Sequence, residues 1–105
     1  RQLVIRATVY LASSIGGNNM IAALFQDSIA DALAVSAQRS DAAANLELQI
    51  SLEHTRVAGT VSPITFRIRA GGNGAGTTTF NGQAGARNYG AIPKSSITIT
   101  EHKAA

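Results

Sequence analysis

The feature that most limits what this chain can fold into is a two-residue rhythm of apolar and polar side chains that recurs along most of its length. Leu3, Ile5, Ala7, Val9 and Leu11 alternate with Val4, Arg6, Thr8, Tyr10 and Ala12. Side chains of a strand point alternately to opposite faces, so this run predicts a strand with one face inside. Leu46, Leu48, Ile50 and Leu52 alternate with Glu47, Gln49, Ser51 and Glu53 and give the cleanest half-buried strand. Ile64, Phe66 and Ile68 alternate with Thr65, Arg67 and Arg69, a strand with a cationic outer face. Ser96, Thr98 and Thr100 alternate with Ile97, Ile99 and Glu101 in a final strand. Met20 to Gln26 is apolar on both faces and reads as a central or covered strand, and Thr77 to Phe80 as a short one.

Turn residues separate these runs. Ser13 to Asn19 is rich in Ser, Gly and Asn, which supply positive φ angles and local hydrogen bonds. Gly59 and Pro63 bracket a second reversal, and Gly71 to Gly76 a third. Arg39 to Asn45 reads as a polar, alanine-rich loop, and Asn81 to Pro93 as a long glycine-rich one. The segment Asp27 to Gln38 supports two readings. Ile29, Ala32, Leu33 and Ser36 have helical spacing behind a capping Ser28, whereas Leu33, Val35 and Ala37 alternate. The all-β surroundings favour a loop followed by a strand, because tertiary context overrides propensity in short segments. Six or seven short strands without a strand–helix–strand rhythm predict a single all-β domain over residues 1–105, an antiparallel β-sandwich of jelly-roll type.

Size and composition sharpen this. A 105-residue chain has one modest core, and without cysteine it has no disulfide or thiolate metal site to reinforce it. Only five aromatic rings are present (Tyr10, Phe25, Phe66, Phe80 and Tyr89), so each is expected to matter to the core or to an interface between copies. Charged residues are 14% of the chain, against about 25% in an ordinary soluble domain. So sparse a charge suits a surface covered by neighbours. The net charge of +3 comes from scattered residues and forms no basic run of the nucleic-acid-binding kind. No apolar stretch reaches the length of a membrane span, so no membrane insertion is expected. The chain opens at Arg1 within an alternation and without an initiator Met, as expected for the C-terminal part of a longer chain.

The motifs that carry chemistry elsewhere are absent or incomplete, and no catalytic residue, metal or cofactor is expected. Gly72, Gly74 and Gly76 miss the dinucleotide-binding spacing by one residue and lead into Thr77–Thr79 rather than a helix. His54 and His102 are the only histidines, and one of them would form a metal site only by repetition about a threefold axis. Glu47 and Glu53 lie six residues apart on one strand face, about 20 Å, too far for a glycosidase pair. There is no Gly-x-Ser-x-Gly elbow. Arg67 and Arg69 form a cationic strip that suits an acidic neighbour or an anionic glycan, with Glu47 and Glu53 as candidate cross-strand partners. Asn81, Gln83, Arg87, Asn88 and Tyr89 combine amides, a guanidinium and a ring on a flexible backbone. That set can bind sugar hydroxyls and stack on a sugar face, or simply pack tightly.

Four segments, in order, resemble a known group. They are Ile21-Ala22-Ala23-Leu24-Phe25-Gln26-Asp27, Thr65-Phe66-Arg67-Ile68-Arg69-Ala70-Gly71, Thr79-Phe80-Asn81-Gly82 and Ser95-Ser96-Ile97-Thr98-Ile99-Thr100-Glu101, with Tyr89-Gly90 before the last. Together they resemble the C-terminal domains of phage tail-fibre, spike and head-decoration proteins over nearly the whole chain. Pro93 and Lys94 depart from the small apolar residues more usual there, as does the ending His102-Lys103-Ala104-Ala105. The resemblance implies a jelly-roll homotrimer, similar in plan to the globular heads of the tumour-necrosis-factor and complement families. It implies a place on the outer surface of a phage head or tail, among other virion proteins. It also raises the alternative of a host-receptor or carbohydrate-binding adhesin.

Overall fold

The computed structural model describes residues 1–40 and 42–103. Asp41, in the expected loop after Arg39, and Ala104 and Ala105 at the end of the chain fall outside them. The described residues form strands β1 (Gln2–Ser13), β2 (Asn19–Gln26), β3 (Ala34–Arg39), β4 (Glu47–Val57), β5 (Phe66–Gly72), β6 (Thr78–Phe80), β7 (Gly82–Gln83), β8 (Ala86–Arg87) and β9 (Ser96–His102). A 3₁₀ turn at Tyr89–Ala91 is the only helical element among them. All pairings are antiparallel.

The long alternating strand β1 is the centre of one sheet. It pairs along one side with β4, and along the other with β9 and then β6, which lie end to end. The second sheet has the order β3-β2-β5. The register puts Ala7 opposite Leu52, Val9 opposite Ile50 and Leu11 opposite Leu48, so the inward rows of β1 and β4 coincide. Met20, Ala22 and Leu24 of β2 face these rows, and the resulting core is almost wholly aliphatic. The chain is therefore an all-β antiparallel sandwich, and the loop-then-strand reading of residues 27–38 is the one the structure adopts.

Several details differ from the sequence reading. The aromatic rings are not the centre of the core: none is fully buried, and Phe66 alone of the five packs against the aliphatic cluster. Branched aliphatics supply enough volume in facing rows to fill a thin two-sheet interior without them. The β5 strand runs on through Gly71 and Gly72, which pair with Ile21 and Met20 instead of turning. Asn18, buried at the β1–β2 connection, explains the glycine: a Cβ on Gly72 would run into its side-chain amide. The long loop after β6 contains the β7–β8 hairpin, closed by Ala84 (φ 51°) and Gly85 (φ 80°). Two consecutive positive φ angles match the tight hairpin turn that follows strand twist, and an alanine in the first position conceals it from sequence.

Asn18 also ties three separate segments together. Its side-chain amide donates to Ser13 Oγ at 3.1 Å, and its side-chain oxygen accepts from Gly74 N–H at 2.8 Å. Its backbone exchanges bonds with Ser40, N–H to Oγ at 2.9 Å and O from N–H at 2.8 Å. Replacing Asn18 by Ala removes both side-chain bonds, each worth about 0.5–1.5 kcal/mol net, from a buried residue. Asn18→Ala is expected to lower the urea midpoint by the equivalent of about 1–3 kcal/mol with an unchanged slope. A variant with wild-type stability would show that Asn18 does not fasten these segments.

Candidate functional site

The two sheets are unequal in reach. The β3-β2-β5 sheet covers the inward face of β1 and β4 but stops short of β9 and β6. Ile97 and Ile99 pair with Ala7 and Ile5 and share their inward face, yet they are 41% and 48% exposed. Phe80, opposite Leu11, shares that face and is 45% exposed. Across from them β5 has a strand neighbour on one side only, and Phe66, Ile68 and Ala70 point inward from it. The result is an open cleft of about 410 Å³ along one flank, lined by Val9, Phe66, Ile68, Ala70, Phe80 and Ile97 among others.

The junction between β9 and β6 is built with care. Their pairing with β1 stops at Thr8 on one side and resumes at Leu11 on the other. Tyr10 would lose its backbone partners in the gap. Instead its N–H donates to Ser95 Oγ at 3.0 Å, and its carbonyl accepts from Asn81 N–H at 2.8 Å. Ser95 Oγ in turn donates to Asn81 Oδ1 at 2.9 Å. Asn81 holds a left-handed backbone, φ 63°, which Asn tolerates better than most residues. The following Gly82 is buried, and a Cβ there would enter the Ala86 carbonyl.

The polar residues of the 81–90 loop are largely engaged inside the chain. The Arg87 guanidinium donates to the carbonyls of Ala91 and Pro93, both at 2.9 Å. Glu47 accepts from the Tyr10 hydroxyl on one oxygen and the Asn88 amide on the other. Asn81 is taken up at the strand junction. Gln83 is exposed, and Tyr89 is 70% exposed at a positive φ of 49°. The loop therefore presents a ring and an amide outward, while its other polar groups hold its shape.

The arginines lie elsewhere. Arg67 and Arg69 project from the outer face of β5, in the other sheet from β4, so Glu47 and Glu53 do not pair with them as the sequence suggested. Glu53 binds Arg6 Nε at 3.3 Å, and Arg1 binds Glu101 at 3.3 Å. These are the ion pairs among the described residues. Arg69 rests over the Phe25 ring, 4.9 Å from its centre. Of the five rings named for an interface, Phe66 and Phe80 line the flank cleft, Phe25 sits on the opposite sheet's outer face, and Tyr10 and Tyr89 lie around the 81–90 loop. His54 lies opposite Ile5 and His102 opposite Gln2 at the far end of the sheet. No group of three metal-ligating side chains occurs among the described residues.

Comparison of the chain with protein-family models, with curated proteins and with solved structures returns no match. Removal of the Ser95 hydroxyl should be felt at the strand junction alone. Ser95→Ala is expected to cost about 1 kcal/mol in denaturant unfolding and to speed amide exchange at Tyr10, with no change at Asn18. Unchanged protection of Tyr10 would disprove the bridging role.

Proposed function

We propose that this chain is a structural assembly module of a phage virion, a fibre or spike tip or a head decoration, acting as a homotrimer of jelly-roll domains. One observation carries the reading: Ile97, Ile99 and Phe80 face inward from their sheet but have no second sheet over them. Covering large apolar side chains is worth about 1.5–3 kcal/mol each, less what is already buried. A row repeated by symmetry in three copies supplies an interface of the ordinary hydrophobic kind. The low proportion of charge supports the same reading, because an interface core is depleted of charged residues.

The resemblance of the β2, β5, β6 and β9 segments to phage fibre and decoration domains supports a role on the virion surface, among other virion proteins. The chemistry of such a module is cohesion. It requires no cofactor, and its specificity lies in shape and in the register of the exposed strand edges.

The test is the state of association. The wild-type chain should scatter light with three times the chain mass in dilute solution. Ile97→Glu, which puts a carboxylate into the half-exposed row without emptying the core, should yield a folded monomer with an unchanged far-ultraviolet circular dichroism spectrum. A wild-type monomer at micromolar concentration would reject the reading.

A further inference from the structure

A second hollow, of about 420 Å³, lies on the outer face of the β3-β2-β5 sheet, away from the inward row of Ile97 and Ile99. It is within the about 300–1,000 Å³ range of small-ligand sites. It is lined by Phe25 of β2, Arg67 and Arg69 of β5 and the turn Asp27–Ala30. The two arginines are alternate residues of one strand, about 7 Å apart along it. Neither has a carboxylate partner among the described residues. Arg69 is held in place over Phe25, so less side-chain freedom is lost when it binds something.

The turn is equally fixed. Asp27 has a φ of 49°, donates its N–H to the Thr65 carbonyl at 2.8 Å, and accepts from Thr65 N–H through Oδ1 at 2.9 Å. With Oδ1 taken by Thr65, the carboxylate stands at the hollow's edge as an acceptor group. Ser28 brings a hydroxyl and Ile29, half exposed, an apolar surface. Two neighbouring guanidinium groups, one of them held over Phe25, select a carboxylate or another anion. Asp27 then discriminates among anions. It repels a bare dianion but accepts hydrogen bonds from hydroxyl groups held beside a carboxylate. Ile29 and Phe25 suit the apolar face of a ring.

We infer that this hollow binds an acidic sugar residue of a glycan, its carboxylate on Arg67 and Arg69 and its hydroxyls on Asp27 and Ser28. The inference is separate from the assembly reading, because it rests on a different sheet face and different side chains.

Calorimetric titration of the whole chain tests it, with oligogalacturonate and oligosialic acid as ligands. Carboxyl-reduced oligogalacturonate and sodium sulfate, at matched ionic strength, are the controls. At least one acidic oligosaccharide should bind saturably, the reduced one about tenfold or more weaker, and sulfate weakly. Arg67→Gln and Arg69→Gln should each weaken the acidic ligand by about tenfold, the loss of a charge-assisted bond. Lys94→Gln should leave it unchanged. Asp27→Asn, which keeps an acceptor for Thr65, should raise sulfate affinity. Circular dichroism and light scattering of each variant separate loss of the site from loss of fold or association. Failure of both acidic ligands to bind, sulfate binding as tightly as they do, or indifference to both arginine substitutions would overturn the inference.

Discussion

The inward aliphatic row of β1 is the constraint on which the rest of the structure depends. Five residues, Leu3, Ile5, Ala7, Val9 and Leu11, are all buried on one face of one strand. Because the side-chain period is two, a slip of one residue would bring Val4, Arg6, Thr8 and Tyr10 inward in their place. That penalty fixes the register against β4 and, on the other side, against β9 and β6 together. The facing row of Met20, Ala22 and Leu24 then sets where the second sheet can lie.

The same geometry produces the surfaces. A strand paired on both sides needs cover across its whole width, and the three strands opposite provide it over β1 and β4 only. The flank at β9 and β6 is left apolar because its residues obey the rule of the core without being in it. Polar loops do not compensate: Arg87, Asn88 and Asn81 turn their hydrogen-bonding groups back onto the chain. On the outer face of the other sheet Arg67 and Arg69 stand side by side, Arg69 over Phe25, without an ion pair because Glu47 and Glu53 belong to the other layer.

Much of the fold was legible in the alternation, since burial on one face writes itself into every second residue. Thus β1, β4 and β5 stand out, and β3 emerges once the neighbours are read as strands. The sequence could not show which strands share a sheet, because alternation marks a face without naming the partner. That is why Glu47 and Glu53 look like partners for Arg67 and Arg69 in sequence, while in the fold Glu53 meets Arg6. The β7–β8 hairpin stayed hidden behind Ala84, a residue that turn chemistry does not favour at positive φ. The cleft could be read only in part. Ile97 and Ile99 look the same as core residues in sequence, and only the width of the opposite sheet leaves them open.

The pairing of β9 with β1 brings together the two ends of the described sandwich. Such a closure wins few contacts until almost all of the intervening chain has been gathered in, and the entropy of gathering it must be met first. All-β domains dominated by distant pairings fold on the order of milliseconds to seconds. Until the last strand arrives, the free edge of β1 beside Ile5 and Ala7 is open to any other extended chain. An edge left open in that interval can take on a strand from elsewhere, so the speed with which β9 docks sets how long the half-made sheet is exposed to misassembly.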